Sequence, residues 1–174
     1  MNKAVFLDRD GVINIDKDYV YKIKDLRLIP GAGNAIKKLQ DRGYILIIIT
    51  NQSGIGRGYY SESQYLFLKD SLHKRLARYG VKISAEYYCP HLPEKNCRCR
   101  KPGTLNIEKA IEKFDIDVKK SYFIGDKTSD ILAGKNSGLK TILVKTGKAG
   151  KDSLHEVQPD FTCDSIKDVL GVIS

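Results

Sequence analysis

Short apolar runs rich in β-branched residues recur along the chain at 4–7, 45–50, 87–89, 121–124 and 141–144, each followed by a cluster of turn-forming residues. Runs of this length and composition predict strands of a parallel sheet buried on both faces. Between them the apolar residues return at helical spacing. Ala35, Ile36 and Leu39 lead to Gly43; Tyr65, Leu66, Leu68, Leu72 and Leu76 lead to Gly80. Leu105, Ile107, Ala110, Ile111 and Phe114 form a third such set, and Ile131 and Leu132 a fourth that closes near Gly138. Ser61 and Gln64 have the spacing of a capping box, and the glycines suit the left-handed conformation that ends a helix. The alternation predicts a doubly wound, mainly parallel α/β sheet in a single domain over residues 1–174, with no repeat or linker to divide it. Residues 147–159 are expected to form a polar loop, 161–163 an edge strand and 165–170 a last helix.

Ligands of such sheets sit outside the carboxyl ends of the strands, so the turn after each strand is where chemistry is sought. The first strand runs into Asp8-Arg9-Asp10-Gly11-Val12-Ile13-Asn14. Two carboxylates one residue apart can converge on one point, one as nucleophile or metal ligand and the other as acid and base; a solvated turn is the bland alternative. A calcium loop of the EF-hand type is excluded, because Gly11 comes too early and Tyr19 stands where the closing glutamate belongs. The second strand delivers Thr50-Asn51-Gln52-Ser53-Gly54-Ile55-Gly56-Arg57-Gly58. Its hydroxyls, amides and backbone N–H groups suit a phosphate oxygen, although a glycine loop without a ligand would read the same way. The dinucleotide spacing is absent, and so is the Walker pattern. The fourth strand ends in Gly125-Asp126-Lys127-Thr128-Ser129-Asp130. Four acids at one sheet edge call for a divalent cation with oxygen ligands, magnesium first, unless Asp130 is simply a first-turn helix acid. Lys101, within Arg100-Lys101-Pro102, can neutralise a transferring phosphoryl group or be an ordinary solvated lysine.

Cys89, His91, Cys97 and Cys99 lie close together in sequence and match a closed Cys3His zinc site, structural rather than catalytic. The odd thiol count in the cluster and the lack of a secretion signal argue against a disulfide loop. Such a site would hold Arg100 and Lys101 over the strand ends. Cys163 is expected to be a bystander, and neither His73, on a basic helical face, nor His155, in the polar tail, makes a convincing catalyst. Composition then narrows the classes. The 174 residues are 41% hydrophobic and 29% charged, which excludes disorder, collagen and coiled coil. The longest wholly apolar run, 45–49, is about a quarter of a bilayer-spanning helix, so a cytoplasmic protein is expected. Thirty Lys and Arg against 21 Asp and Glu give +9, which points to an anionic partner. The basic residues are spread over helices, Trp is absent and the Tyr residues are not interleaved with them, so nucleic acid is disfavoured against a phosphorylated metabolite.

These residues together resemble the haloacid dehalogenase superfamily of phosphotransferases, whose four motifs occur in order: Asp8-x-Asp10-Gly11, Thr50, Lys101 and Gly125-Asp126-x3-Asp130. The zinc loop and Arg100-Lys101-Pro102 are similar to its capless, zinc-containing subfamily. The resemblance implies a Rossmann-like fold without a cap domain and a magnesium-dependent phosphatase with structural zinc. It implies magnesium at Asp8, Asp126 and Asp10, the last through its backbone carbonyl, with Asp130 in support. Asp8 would form an aspartyl phosphate, Asp10 would act as acid and then base, and Thr50, Arg100 and Lys101 would steady the phosphoryl charge. Asp16, Lys17, Asp18, Tyr19, Asn51, Gln52, Ser53 and Lys127 occupy the matching substrate positions. The expected substrate is a small phosphorylated sugar, a heptose bisphosphate on the route to nucleotide-activated heptose, with histidinol phosphate as the alternative and a nucleic-acid 3′ phosphate more remote. No membrane partner is expected, and the chain is expected to be a monomer.

Overall fold

All five predicted internal strands and the predicted edge strand are found in one sheet. In the computed structural model, which describes residues 1–152 and 154–173, they are β1 (Ala4–Leu7), β2 (Ile45–Asn51), β3 (Ala85–Cys89), β4 (Tyr122–Gly125), β5 (Lys140–Val144) and β6 (Phe161–Cys163). Every pairing is parallel and the order is β3-β2-β1-β4-β5-β6. The order reverses between β1 and β4, which is where a crevice opens at the carboxyl ends.

Alternation along the strands divides the core into two layers. Val5 and Leu7 of β1, Leu46 and Ile48 of β2, and Ile124 of β4 face one side. There they meet α1 (Ala32–Asp41) through Ile36 and Leu39 and α3 (Glu62–Ala77) through Leu68, Leu72 and Leu76. Ala4 and Phe6, Ile47 and Ile49, and Phe123 face the other side, against Ile107 and Ala110 of α4 (Leu105–Phe114) and Ala133 of α5 (Thr128–Asn136). Burial on both faces is why the strands read as continuous apolar runs. The capping box is present: Gln64 N donates to Ser61 Oγ at 3.2 Å and Ser61 N to Gln64 Oε1 at 2.8 Å.

Two local features differ from the pattern. Residues after β2 form a single helical turn, α2 (Ser53–Gly56), rather than an open glycine loop. The expected last helix at 165–170 is reduced to a 3-10 turn, Asp168–Gly171, because the segment is too short to offset helix nucleation and Asp168 Oδ2 instead accepts from Ser165 N and Oγ. Between β1 and α1 the chain carries the 3-10 turn Ile23–Asp25 as its one helical element, and β3 connects to α4 through the cysteine loop with one more, Pro93–Lys95, so these two connections add no folded cap among the described residues. No helix among the described residues is long and apolar enough to cross a membrane.

A buried polar link ties α3 to β3. The Glu86 carboxylate, fully buried, accepts from Tyr65 Oη at 2.5 Å and pairs with His73 Nε2 at 2.7 Å. Burial alone would raise its pKa, but the His73 and Tyr65 hydrogen bonds and the charges of His73 and Arg9 carry it below 4.5. A folded-state value below the unfolded one makes this contribution complete above about pH 4.5 and drains it as pH falls through the folded value. Glu86→Gln should therefore cost about 2 kcal/mol at pH 7. Thermal melts should show that gap closing between pH 5 and pH 3; a constant gap across the range would contradict the ion-pair account.

Candidate active site

The carboxyl ends of β1 and β4 bring Asp8, Asp126 and Asp130 together with ligand oxygens within 4.8 Å of one another, all three buried. Lys101 enters this cluster from the loop after the cysteines. Its buried ammonium lies 2.9 Å from Asp8 Oδ1 and 2.7 Å from Asp130 Oδ1, and donates to the Ile49 carbonyl at 2.8 Å. Burial would raise the Asp8 carboxyl, yet Lys101 and Lys127 outweigh it and hold Asp8 below its ordinary value. Asp130 shares the same lysine but goes up, because complete burial and the Asp8 charge prevail there. Asp126 is pushed up to about 7 by burial and by the charges of Asp130 and Asp8. One of its oxygens accepts from Lys148 N at 2.6 Å, while Oδ1 is buried without a hydrogen-bond partner. An orphaned carboxylate oxygen beside two further carboxylates fits a divalent cation with oxygen ligands. Asp130 stands behind this group: Oδ2 accepts from the N–H groups of Asp126 and Lys127, both at 3.1 Å, and so fixes the β4 turn. Gly11, at φ 84°, leaves the space Asp126 occupies; a Cβ there would fall 2.5 Å from Asp126 Oδ2.

Asp10 turns its carboxylate away from that cluster. Its oxygens accept from Arg9 Nη2 at 2.9 and 3.1 Å, from Asn14 Nδ2 at 2.9 Å and from Gln52 Nε2 at 3.2 Å. Thr50, buried at the end of β2, accepts from the same Gln52 amide at 2.8 Å. Two residues expected to touch substrate are therefore occupied elsewhere. Gln52 is 3% exposed, with Oε1 accepting from Tyr60 Oη at 2.7 Å. Asn51 buckles the Lys101 backbone, donating to its carbonyl at 3.1 Å and accepting from its N–H at 3.0 Å. Polar types at a strand end announce polar work but not its direction. The remaining positions frame the mouth. Lys127 Nζ lies 3.7 Å from Asp16 Oδ2, Lys17 pairs with Asp25 at 3.5 Å, Asp18 pairs with Lys148 at 3.0 Å, and the Tyr19 ring meets Tyr59 edge-on at 4.9 Å. Ser53 starts α2, and Arg100 Nη1 donates to the His91 carbonyl at 3.4 Å. A cavity of about 500 Å³ adjoins Lys101, walled by Pro93, Asn96, Arg100, Ser129 and His155.

The cysteine loop supplies one wall of that cavity. Cys89, Cys97 and Cys99 Sγ and His91 Nδ1 are separated pairwise by 3.2 to 3.6 Å, close to a regular tetrahedron. A tetrahedron of that size has its centre about 2.1 Å from each corner, near the zinc–nitrogen and zinc–sulfur bond lengths. None of the four cysteines is in a disulfide, and Cys89, Cys97 and Cys99 stand with His91 in the grouping expected of zinc ligands.

With this geometry in view, similarity to known proteins is decisive. A D-glycero-beta-D-manno-heptose-1,7-bisphosphate 7-phosphatase from Haemophilus ducreyi is 45% identical over 99% of this chain and 98% of the relative. The chain belongs to the heptose bisphosphate phosphatase family of haloacid dehalogenase-like hydrolases. A D-glycero-alpha-D-manno-heptose-1,7-bisphosphate 7-phosphatase from Campylobacter jejuni is 49% identical over 82% of this chain and 81% of the relative, so this family's names span both anomers. A crystal structure of a D,D-heptose 1,7-bisphosphate phosphatase from B. bronchiseptica, complexed with magnesium and phosphate, superposes with a TM-score of 0.90 at 31% identity, covering 98% of this chain and 97% of that one. The family model described as HAD-hydrolase-like matches residues 98–169. Around the motif residues that carried the resemblance to this family, the structure adds Arg9, Asn14, Tyr60 and the Lys148 backbone, none of which the motifs single out. If the tetrahedral cluster holds zinc, metal analysis should find one zinc per chain and its removal should lower Tm by about 5–10 °C. An unchanged melt after complete chelation would rule out a structural metal.

Proposed function

We propose that this protein is a magnesium-dependent phosphatase that removes the 7-phosphate of D-glycero-D-manno-heptose 1,7-bisphosphate through an aspartyl phosphate on Asp8, in the cytoplasm. The observation that carries the reading is the Lys101 ammonium lodged between Asp8 and Asp130 beside the unpartnered Asp126 oxygen. Asp8, Asp126 and the Asp10 carbonyl would hold the magnesium, which when bound would supply charge screening between the nucleophile and the phosphate. Asp8 Oδ1 is engaged twice, by Lys101 and by the Arg9 N–H at 2.8 Å, which supports Oδ2 as the attacking oxygen. Asp10 gives its proton to the departing sugar oxygen. It then takes one from the water that attacks the phosphoryl-aspartate, which frees inorganic phosphate and restores Asp8. Thr50 and Lys101 steady the non-bridging oxygens, and Asp130 acts by holding Lys101 and the β4 turn. The sugar extends into the 500 Å³ cavity, where Arg100, with Lys127 across the mouth, meets its remaining charge. Cys89, His91, Cys97 and Cys99 would hold a zinc that keeps the wall of that cavity in place.

Asp8→Asn should lower kcat by on the order of 10⁴-fold while Tm and zinc content stay as in the wild type. A phosphate-release panel containing both anomers of the bisphosphate, histidinol phosphate and a 3′-phosphorylated oligonucleotide should favour a bisphosphate. Preference for histidinol phosphate or the oligonucleotide would replace the substrate while leaving the aspartyl-phosphate chemistry, and an active Asp8→Asn would remove that chemistry.

A further inference from the structure

We infer that Arg9 is a positioning residue for Asp10, the middle arm of a clamp completed by Asn14 and by a Gln52 amide that Tyr60 orients. The inference rests on the acid and base role proposed for Asp10. Its first support is the cost of Arg9 itself. The side chain is 0% exposed, and Nε and Nη1 are buried without hydrogen-bond partners, so the residue is not there to satisfy a structural network. All its side-chain hydrogen bonds come from Nη2, which spans both Asp10 oxygens and also donates to the Val20 carbonyl at 2.9 Å. Behind it, the guanidinium lies 5.7 Å from the Tyr65 ring centroid, and the Tyr65 hydroxyl is bound to the buried Glu86. Arg9 is thus held between two carboxylates, and only Asp10 opens toward the crevice, its side chain 14% exposed against 0% for Glu86.

The two neutral arms divide the carboxylate. Asn14 holds Oδ1 and Gln52 holds Oδ2, the latter by the longest contact, 3.2 Å. Arg9 holds Oδ2 the more closely, at 2.9 Å against 3.1 Å for Oδ1, so of the two amides it is Gln52 that yields most easily to a leaving group, and that amide also touches Thr50. Once its proton has gone to the leaving group, Asp10 offers only acceptors, which the Gln52 nitrogen meets at Oδ2. The Tyr60 hydroxyl enforces that orientation by donating to Oε1. Tyr60 is itself fixed: it stacks on Tyr21 at 4.9 Å and passes so close beneath Gly54 that a Cβ there would sit 2.2 Å from its ring. Proton delivery demands placement within about 0.5 Å, and a free aspartate has rotamers that miss.

The test exploits leaving groups. The ratio kcat/KM reports steps through release of the alcohol, which must be protonated when it is a sugar and need not be when it is p-nitrophenolate. Asp10→Asn sets the limiting selectivity. Arg9→Met should lower kcat/KM for heptose bisphosphate about 10²-fold and for p-nitrophenyl phosphate less than about threefold, with partial recovery in Arg9→Lys. Tyr60→Phe, which removes only a hydroxyl and keeps the test available if Arg9→Met does not fold, should shift the same ratio about fivefold. Equal losses on both substrates, or no loss, would overturn the clamp. Selectivity in Asp10→Asn with none in the Arg9 and Tyr60 variants would overturn the clamp alone, whereas its absence in Asp10→Asn would overturn the acid assignment and the clamp with it.

Discussion

The buried ammonium of Lys101 lets three carboxylates share one edge of the sheet. The ammonium donates to the Ile49 carbonyl and forms ion pairs with Asp8 and Asp130. Taking an ammonium out of water costs several kcal/mol, and so does taking each carboxylate; the mutual attraction offsets those costs only when the geometry is good and the remaining polar atoms are satisfied. Asn51 secures the geometry from below by bonding both the N–H and the carbonyl of Lys101. What the lysine does not neutralise is concentrated at Asp126, whose free oxygen and raised pKa mark where further positive charge is wanted.

That dependence explains why the cysteine loop matters to chemistry. The loop from Cys89 to Lys101 offers little apolar surface, so hydrophobic burial cannot offset the entropy of ordering it. The proposed tetrahedral metal would, and Cys99, the last residue of its cluster, stands two residues before the lysine. The anchor at the loop's start is Cys89, buried at the end of β3, and the anchor at its end is Asn106 on α4, which donates to the carbonyls of Tyr88 and Cys99. The sheet, one helix and the proposed metal together place a single ammonium, and the placement serves both the fold and the reacting group.

The strands and the two-layer core were legible because burial on both faces imposes continuous apolar runs, and a strand such as Ala4–Leu7 admits no other reading beside its charged flanks. Asp8, Lys101 and Asp126 were legible because a spaced motif names them. The protein partners of Gln52 and Asn51 were not legible, because an amide at a strand end looks the same whether it points into the crevice or into the protein. Arg9 left no signal at all: a buried arginine and a surface arginine are one letter. The last helix failed for a different reason, since a short apolar spacing is necessary for a helix but does not meet its nucleation cost.

Asp8 and Asp10 are one residue apart, yet the proposed mechanism asks opposite things of them, since in it one attacks as an anion and the other carries a proton to the leaving group. Two carboxylates with the same surroundings cannot do this; pairs with divided roles need divided environments. The turn makes the division. Its tight geometry, with the Arg9 carbonyl accepting from the N–H groups of Ile13 at 2.8 Å and Asn14 at 3.2 Å, sends the two side chains to different partners. Asp8 meets Lys101 and the metal-seeking cluster, while Asp10 meets Arg9 and two amides. The residue between them is therefore not a spacer. Arg9 gives its backbone N–H to Asp8 and its guanidinium to Asp10, so one residue fixes the nucleophile with its main chain and the acid with its side chain. Any substitution that keeps the backbone but loses the guanidinium separates those two services, which is why the acid can be disturbed while the nucleophile remains in place.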